Sequence, residues 1–380
     1  MIERIVDAIG RVLARADRPV GLHEPRFAER EKAYVAECLD TGWVSSAGAF
    51  VTRFEKALAA ITGLFAVAAV NGTCALSAAL TLAGVAPGEE VVVPALTFVG
   101  TANAVVHAGA VPHFADSERT TLGLDAEALA GHLTAVGVRR EGRLVNRATG
   151  RPIAALVPVH VFGHPADMDE LAAVAERFGL TLVEDAAEAL GTLYKNRHVG
   201  RHGRLSILSF NGNKIVTTGG GGAILTADAA LAAEARHLTS TAKRPHPYEF
   251  FHDRTAFNYR LPNLNAALGL GQLERLDTLV AGKRDLARRY AEAFASVPGA
   301  TFFREPGFAR GNCWLNAVLL DDQGLRDGVL RAARDAGFSC RPAWTPMHRL
   351  PMYENCPRAQ LPVAEDMASR LVNLPSSAFL

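Results

Sequence analysis

One lysine, Lys214, stands between a strand-like apolar run, Leu205 to Phe210, and four consecutive glycines, Gly219 to Gly222. A strand end, a polar turn and backbone with no side chains to shield it leave an amine open to a planar ligand. Upstream, a second apolar run, Leu182-Val183, ends in two acids, Glu184 and Asp185. Taken singly these residues read blandly, since a loop lysine is usually solvated and a strand-end aspartate usually caps a turn. Together they suit pyridoxal phosphate (PLP), where a lysine forms a Schiff base and an aspartate keeps the ring nitrogen protonated.

A third feature strengthens the pair. The run Val67 to Val70 passes through Asn71-Gly72 into the Ala- and Leu-rich stretch Thr73 to Leu80, which reads as strand, tight turn and helix start. The free amides of Gly72, Thr73 and Cys74, with the Thr73 hydroxyl, would surround an anion at such a helix N-terminus. The segment lacks the lysine of a Walker pattern, so a P-loop is disfavoured.

The elements that must hold these residues alternate along the chain. Strands are expected at Phe65 to Val70, Glu90 to Val93, Val111 to Ala115, Ile153 to Val157, Thr181 to Val183, Ser206 to Ser209 and Ala223 to Thr226, with helices such as Thr73 to Ala83 and Asp167 to Phe178 between several of them. That alternation predicts an α/β fold with a largely parallel sheet flanked by helices. Ligands of such sheets lie beyond the carboxyl ends of the strands, where Asn71, Asp185 and the segment from Ser209 to Lys214 fall. The polar stretch Val138 to Arg151 reads as an exposed loop or hairpin. Further on come helices over Asn265 to Leu279, Lys283 to Ala295 and Leu325 to Ala336, and a strand over Trp314 to Leu320. The expected organisation is a helical arm over 1–24, a large cofactor-binding domain over 25–254 and a small C-terminal α/β domain over 255–380.

Composition narrows the function classes. With 380 residues, 49% of them hydrophobic, the chain can bury two cores, and a net charge of +1 argues against an extended nucleic-acid or anionic-membrane surface. Five scattered cysteines fit reduced thiols, and the histidines lack ligand spacing, so no metal is expected. The absence of a bilayer-length apolar run and of a signal-peptide pattern points to a cytoplasmic enzyme.

Several motifs in order carry a specific resemblance: Gly42-Trp43-Val44-Ser45-Ser46-Ala47-Gly48 with Phe54-Glu55; Asn71-Gly72-Thr73; Val93 to Val99; Gly163-His164-Pro165-Ala166-Asp167-Met168; Glu184-Asp185-Ala186-Ala187-Glu188; Ser209 to Lys214; and Phe257-Asn258-Tyr259-Arg260. From about Pro25 to the C-terminus the chain resembles the DegT/DnrJ/EryC1/StrS sugar-nucleotide aminotransferases. The resemblance implies the aspartate aminotransferase (type I PLP) fold, with glutamate as amino donor. It makes Lys214 the Schiff-base lysine and proton carrier and Asp185 the partner of the ring nitrogen. Phe98 would stack on the cofactor, Gly72, Thr73, Cys74 and Ser209 would hold its phosphate, and Asn258 would reach that phosphate from a neighbouring subunit of a homodimer. Glu188 stands near the cofactor phenolate oxygen, where the family often has Gln or His. Lys243 and Arg260 would neutralise the nucleotide diphosphate, and Trp344 and His348 would line the sugar pocket.

Within the family, Trp43 to Gly48, Asp116-Ser117-Glu118, Ser209 to Lys214 and Pro342 to Pro351 look closest to enzymes that aminate C4 of a UDP-linked 4-keto-6-deoxy-N-acetylhexosamine in the bacillosamine and legionaminic acid pathways. The expected substrate is therefore UDP-4-keto-6-deoxy-N-acetylglucosamine, with a GDP- or dTDP-linked keto-deoxy sugar, aminated at C3 or C4, as the alternative. Two other readings compete. A sugar dehydratase of this fold replaces the lysine with histidine, against Lys214, and a non-catalytic sugar-nucleotide sensor would have lost Lys214 or Asp185.

Overall fold

A computed structural model describes residues 1–14, 16–17 and 19–380; Arg15 and Arg18, within the expected arm, lie outside the described residues. Its centre is a seven-stranded sheet in the order Phe65–Ala69, Gly222–Thr226, Leu205–Ser209, Thr181–Asp185, Ile153–Leu156, Glu90–Pro94, Val111–Ala115. Six strands run parallel and Gly222–Thr226 runs against both its neighbours.

The near-continuous apolar strands are explained by cover on both faces. Successive side chains alternate sides, so Val91, Val93, Val183 and Ile207 enter one core layer while Val92, Leu182 and Leu208 enter the other. The helix Gly72–Leu82 packs on the first layer and Met168–Phe178 on the second. The polar stretch after residue 137 forms an antiparallel hairpin, Gly137–Arg140 with Arg143–Asn146.

A second sheet, antiparallel, has the order Ala300–Phe302, Asn316–Leu320, Leu371–Leu374, Arg341–Pro342. Its core includes Val318, Leu320, Val372 and Leu374, and into that same core the helix Ile2–Val12 buries Ile5, Ala8 and Ile9. The stretch expected as an added arm thus supplies interior residues to the C-terminal unit. Likewise Asn263–Leu273, expected in the small domain, packs between Glu29–Thr41 and Ala49–Thr62 of the large one.

Two elements depart from expectation for local reasons. The helix predicted over Asn265 to Leu279 stops at Leu273, and a new one runs over Leu276–Ala293 through the predicted start at Lys283. Arg275 leaves helical backbone (φ −112°, ψ 6°), and the Gln272 and Arg275 side chains both donate to Glu31 Oε1, at 2.7 and 3.0 Å. The strand predicted from Trp314 starts at Asn316. The Trp314 amide donates to the Asn312 side chain and the Leu315 amide to the Phe162 carbonyl, so neither is free to enter a ladder.

Candidate active site

The carboxyl ends of the parallel strands open into a cleft of about 500 Å³, closed on its far side by the small sheet. Asn71 follows the first strand as helix N-cap, its Oδ1 accepting the Cys74 amide at 2.8 Å. Cys74 therefore does not offer its N–H to a ligand, a correction to the predicted trio. The amides of Gly72 and Thr73 have no protein partner among the described residues, and at a helix N-terminus they remain available to an anion. A side chain at residue 72 would bring Cβ within 2.9 Å of Ser209 Cβ, so glycine is what lets this turn meet the Ser209 strand end.

The adjacent acids Glu184 and Asp185 point to opposite faces of their strand. Glu184 accepts from the amides of Gly200, His202 and Gly203, each at 2.7 Å, and pairs with His160 at 3.1 Å. Burial pushes its carboxyl up, but the His160 ring and the amides outweigh this and leave it below the ordinary value. Asp185 lines the cleft and has fewer supports: Thr101 Oγ1 donates to Oδ2 at 2.8 Å and the Ala187 amide to Oδ1 at 3.1 Å. Its burial dominates and raises the carboxyl above its usual value, against the pull of these donors and of Lys214. A buried carboxylate so short of positive charge suits a protonated ring nitrogen.

Lys214 Nζ reaches into the same space, 3.2 Å from Glu188 Oε1 and 3.8 Å from the centre of the Trp314 ring. Burial raises the Glu188 carboxyl too, opposed by the Lys214 charge and the Phe162 amide, which donates to Oε2 at 2.9 Å. Phe162 and Cys313 both have left-handed backbone (φ 56° and 52°), at a cost of about 1 kcal/mol or more each. Asn312 between these segments donates to the Glu188 and Leu190 carbonyls and accepts the Trp314 amide, while the Trp314 indole donates to the Asn213 carbonyl at 2.7 Å. The lysine is thus held between a carboxylate and an indole face whose positions are set by this network.

Of the residues singled out in the sequence, Gly72, Thr73, Phe98, Asp185, Glu188, Ser209, Lys214 and Trp344 line the cleft. Phe98 keeps its ring at the rim, and Trp344 packs on Phe162 with ring centres 4.9 Å apart. The others are placed elsewhere. Arg260 is largely buried and pairs with Glu55 Oε1 at 2.7 Å, a carboxylate it shares with Arg236. Lys243 lies over the Phe250 ring at 3.8 Å, and His348 pairs with Glu365 at 2.9 Å. Asn258 is exposed, bridged to Ser240, and does not line its own chain's cleft. Thr101, Trp314, Arg341 and Asn373 line the cleft and were missed; only the Trp314 indole, in a stretch with two asparagines and a cysteine, gave a compositional signal.

The donor set fits pyridoxal phosphate. The hydroxyls of Thr73 and Ser209, the amides of Gly72 and Thr73, the Asp185 carboxyl and the Lys214 amine line one cleft, the donors for a phosphate, an acid for a ring nitrogen and an amine for an aldehyde. A Cβ at Gly100 would approach both Phe98 and Thr73 Oγ1 to 2.9 Å, so the opening between ring and hydroxyl depends on a glycine.

The sequence pattern of the DegT/DnrJ/EryC1/StrS aminotransferase family matches residues 25–380. A protein of Caulobacter vibrioides named GDP-perosamine synthase is 38% identical over 368 residues, covering 95% of this chain and 94% of its own. A putative pyridoxal phosphate-dependent aminotransferase, EpsN, of Bacillus subtilis is 35% identical and covers 95% and 92%. Among solved structures, the aminotransferase TlmJ of Streptoalloteichus hindustanus superposes with a TM-score of 0.86 at 30% identity, over 95% of this chain and 94% of its own.

Proposed function

The chain belongs to the DegT/DnrJ/EryC1/StrS aminotransferase family, a PLP-dependent sugar aminotransferase with the type I fold, and from that premise we propose that it moves an amino group from glutamate to the keto carbon of a GDP-linked 4-keto-6-deoxy sugar. The observation that carries the chemistry is Lys214 Nζ held between Glu188 and Trp314 in the cleft that Asp185 lines. The choice of GDP over the UDP sugar expected from the sequence is supported by the 38%-identical GDP-perosamine synthase.

When bound, the cofactor supplies a protonated ring that draws electrons from the reacting carbon. Asp185 would hold the proton on the ring nitrogen, with Thr101 fixing the carboxylate. Lys214 is the catalytic residue that takes a proton from one carbon and returns it to another. Glu188 Oε1 orients the Lys214 amine, and Trp314 covers it and excludes water. Thr73, Ser209 and the amides of Gly72 and Thr73 would hold the phosphate, and Phe98 would lie against the ring. Asn258 serves the cleft of a second copy, so the working unit is a homodimer acting in the cytoplasm.

The test is to give the PLP-loaded protein glutamate with GDP-, UDP- and dTDP-linked 4-keto-6-deoxy sugars in turn and to weigh the products. Amination of the GDP sugar with the highest kcat/KM supports the proposal. Preference for the UDP sugar returns the substrate to the sequence expectation, and no aminated product from any of the three sinks the sugar-nucleotide reading.

A further inference from the structure

The small sheet turns one of its faces to the cleft. In Leu371–Leu374 the side chains alternate, with Val372 and Leu374 in the C-terminal core and Leu371 and Asn373 on the other side. Asn373 stands directly opposite Ala317 on one neighbouring strand and Arg341 on the other, so the three form a row across the sheet. Arg341 and Asn373 line the cleft.

Their bonding is unusual. Arg341 is exposed and, among the described residues, has no carboxylate within ion-pair distance, whereas the cleft's other cation, Lys214, is paired with Glu188. Asn373 is 4% exposed, yet its Oδ1 is buried with no hydrogen-bond donor. An orphaned buried acceptor is costly unless a ligand supplies the N–H.

Resting on the aminotransferase reading, we propose that Arg341 and Asn373 form the amino-donor subsite, Arg341 taking a carboxylate of the donor and Asn373 Oδ1 an N–H of its ammonium group. A free guanidinium beside a free acceptor matches an α-amino acid, which carries both charges one carbon apart. It is a poor match for a nucleotide diphosphate, whose oxygens an amide oxygen repels. Ala317, the third member of the row, has no side chain long enough to fill the space beside them.

Arg341→Met separates the two halves of the reaction. Conversion of the bound cofactor by L-glutamate should need roughly 10- to 100-fold more glutamate for half-maximal rate. The return half, from the amine form of the cofactor with the keto sugar, should change less than threefold (about 0.65 kcal/mol), and Arg341→Lys should recover part of the glutamate loss. Equal losses in both halves, or a loss confined to the sugar half, overturn the assignment. Glutarate, an unreactive dicarboxylate, gives a readout independent of turnover by calorimetry on the PLP-loaded protein. Binding that Arg341→Met abolishes upholds the subsite even if glutamate proves unreactive and the parent reading fails; binding unaffected by Arg341→Met overturns it.

Discussion

On the large-domain wall of the cleft the ionised groups are already partnered by the protein: Lys214 with Glu188, Asp185 with the Thr101 hydroxyl and the Ala187 amide. On the small-domain wall Arg341 has no acid and Asn373 Oδ1 no donor among the described residues. Charged groups partnered in advance cost little to keep in geometry, and the unpartnered Gly72 and Thr73 amides on the same wall are left for the phosphate of a resident group that is seldom released. An unsatisfied wall is completed by a ligand that arrives and leaves each cycle, and its residues gain most when that ligand is bound.

Substitutions on the large-domain wall should therefore damage both half-reactions alike, and the largest effect is expected at Lys214. Lys214→Ala should lower turnover by roughly 10³-fold or more in each half, while the protein still retains the cofactor without a covalent bond; single-turnover absorbance changes measure both. Asp185→Asn keeps the shape but not the charge, and should cost about 10²-fold in each half with far-ultraviolet dichroism unchanged. A loss in only one half would undo the contrast between the walls. Thr101→Val removes the 2.8 Å hydrogen bond to Asp185 Oδ2 and should cost about tenfold in kcat, again in both halves.

The last effect concerns stability rather than rate. Lys283, fully buried, donates to the carbonyls of Trp314 and Ser376 at 2.9 and 2.5 Å, and burial lowers its pKa from 10.5 to about 7. Between those values the unfolded chain holds a proton that the folded protein has given up, so this residue makes stability rise with pH across that window. The urea midpoint of the unmodified protein should rise relative to Lys283→Met between about pH 7 and pH 10. A constant difference would mean that the amine stays charged in the fold.

The half of the site nearest the large sheet was legible because each piece is local. Asn71-Gly72-Thr73, Asp185 and Ser209 to Lys214 lie at or just beyond strand ends, and a parallel sheet brings all its carboxyl ends to one edge. What refines them is not local. Thr101 meets Asp185 across 84 positions and Trp314 meets Asn213 across 101, distances over which no spacing rule operates. The same limit hid the partners of two expected substrate contacts: Arg260 and His348 carry suitable chemistry, and only the packed chain reveals that Glu55 and Glu365 engage them. The Cys74 amide was likewise taken by its own cap, a contest between Asn71 Oδ1 and an outside anion for one N–H. Trp344 on the small-domain face was legible, but Arg341 beside it escaped notice because Arg341–Pro342 is only two residues long, too short for alternation to register.

The chain has three tryptophans, and two of them, Trp314 and Trp344, line the cleft while Trp43 is 61% exposed elsewhere. The indole that covers the Lys214 amine is therefore also a light-emitting group beside the place where an absorbing ring binds. Loading the cleft should dim the two indoles that line it, and the protein then reports the filling and emptying of its own cleft without an added dye.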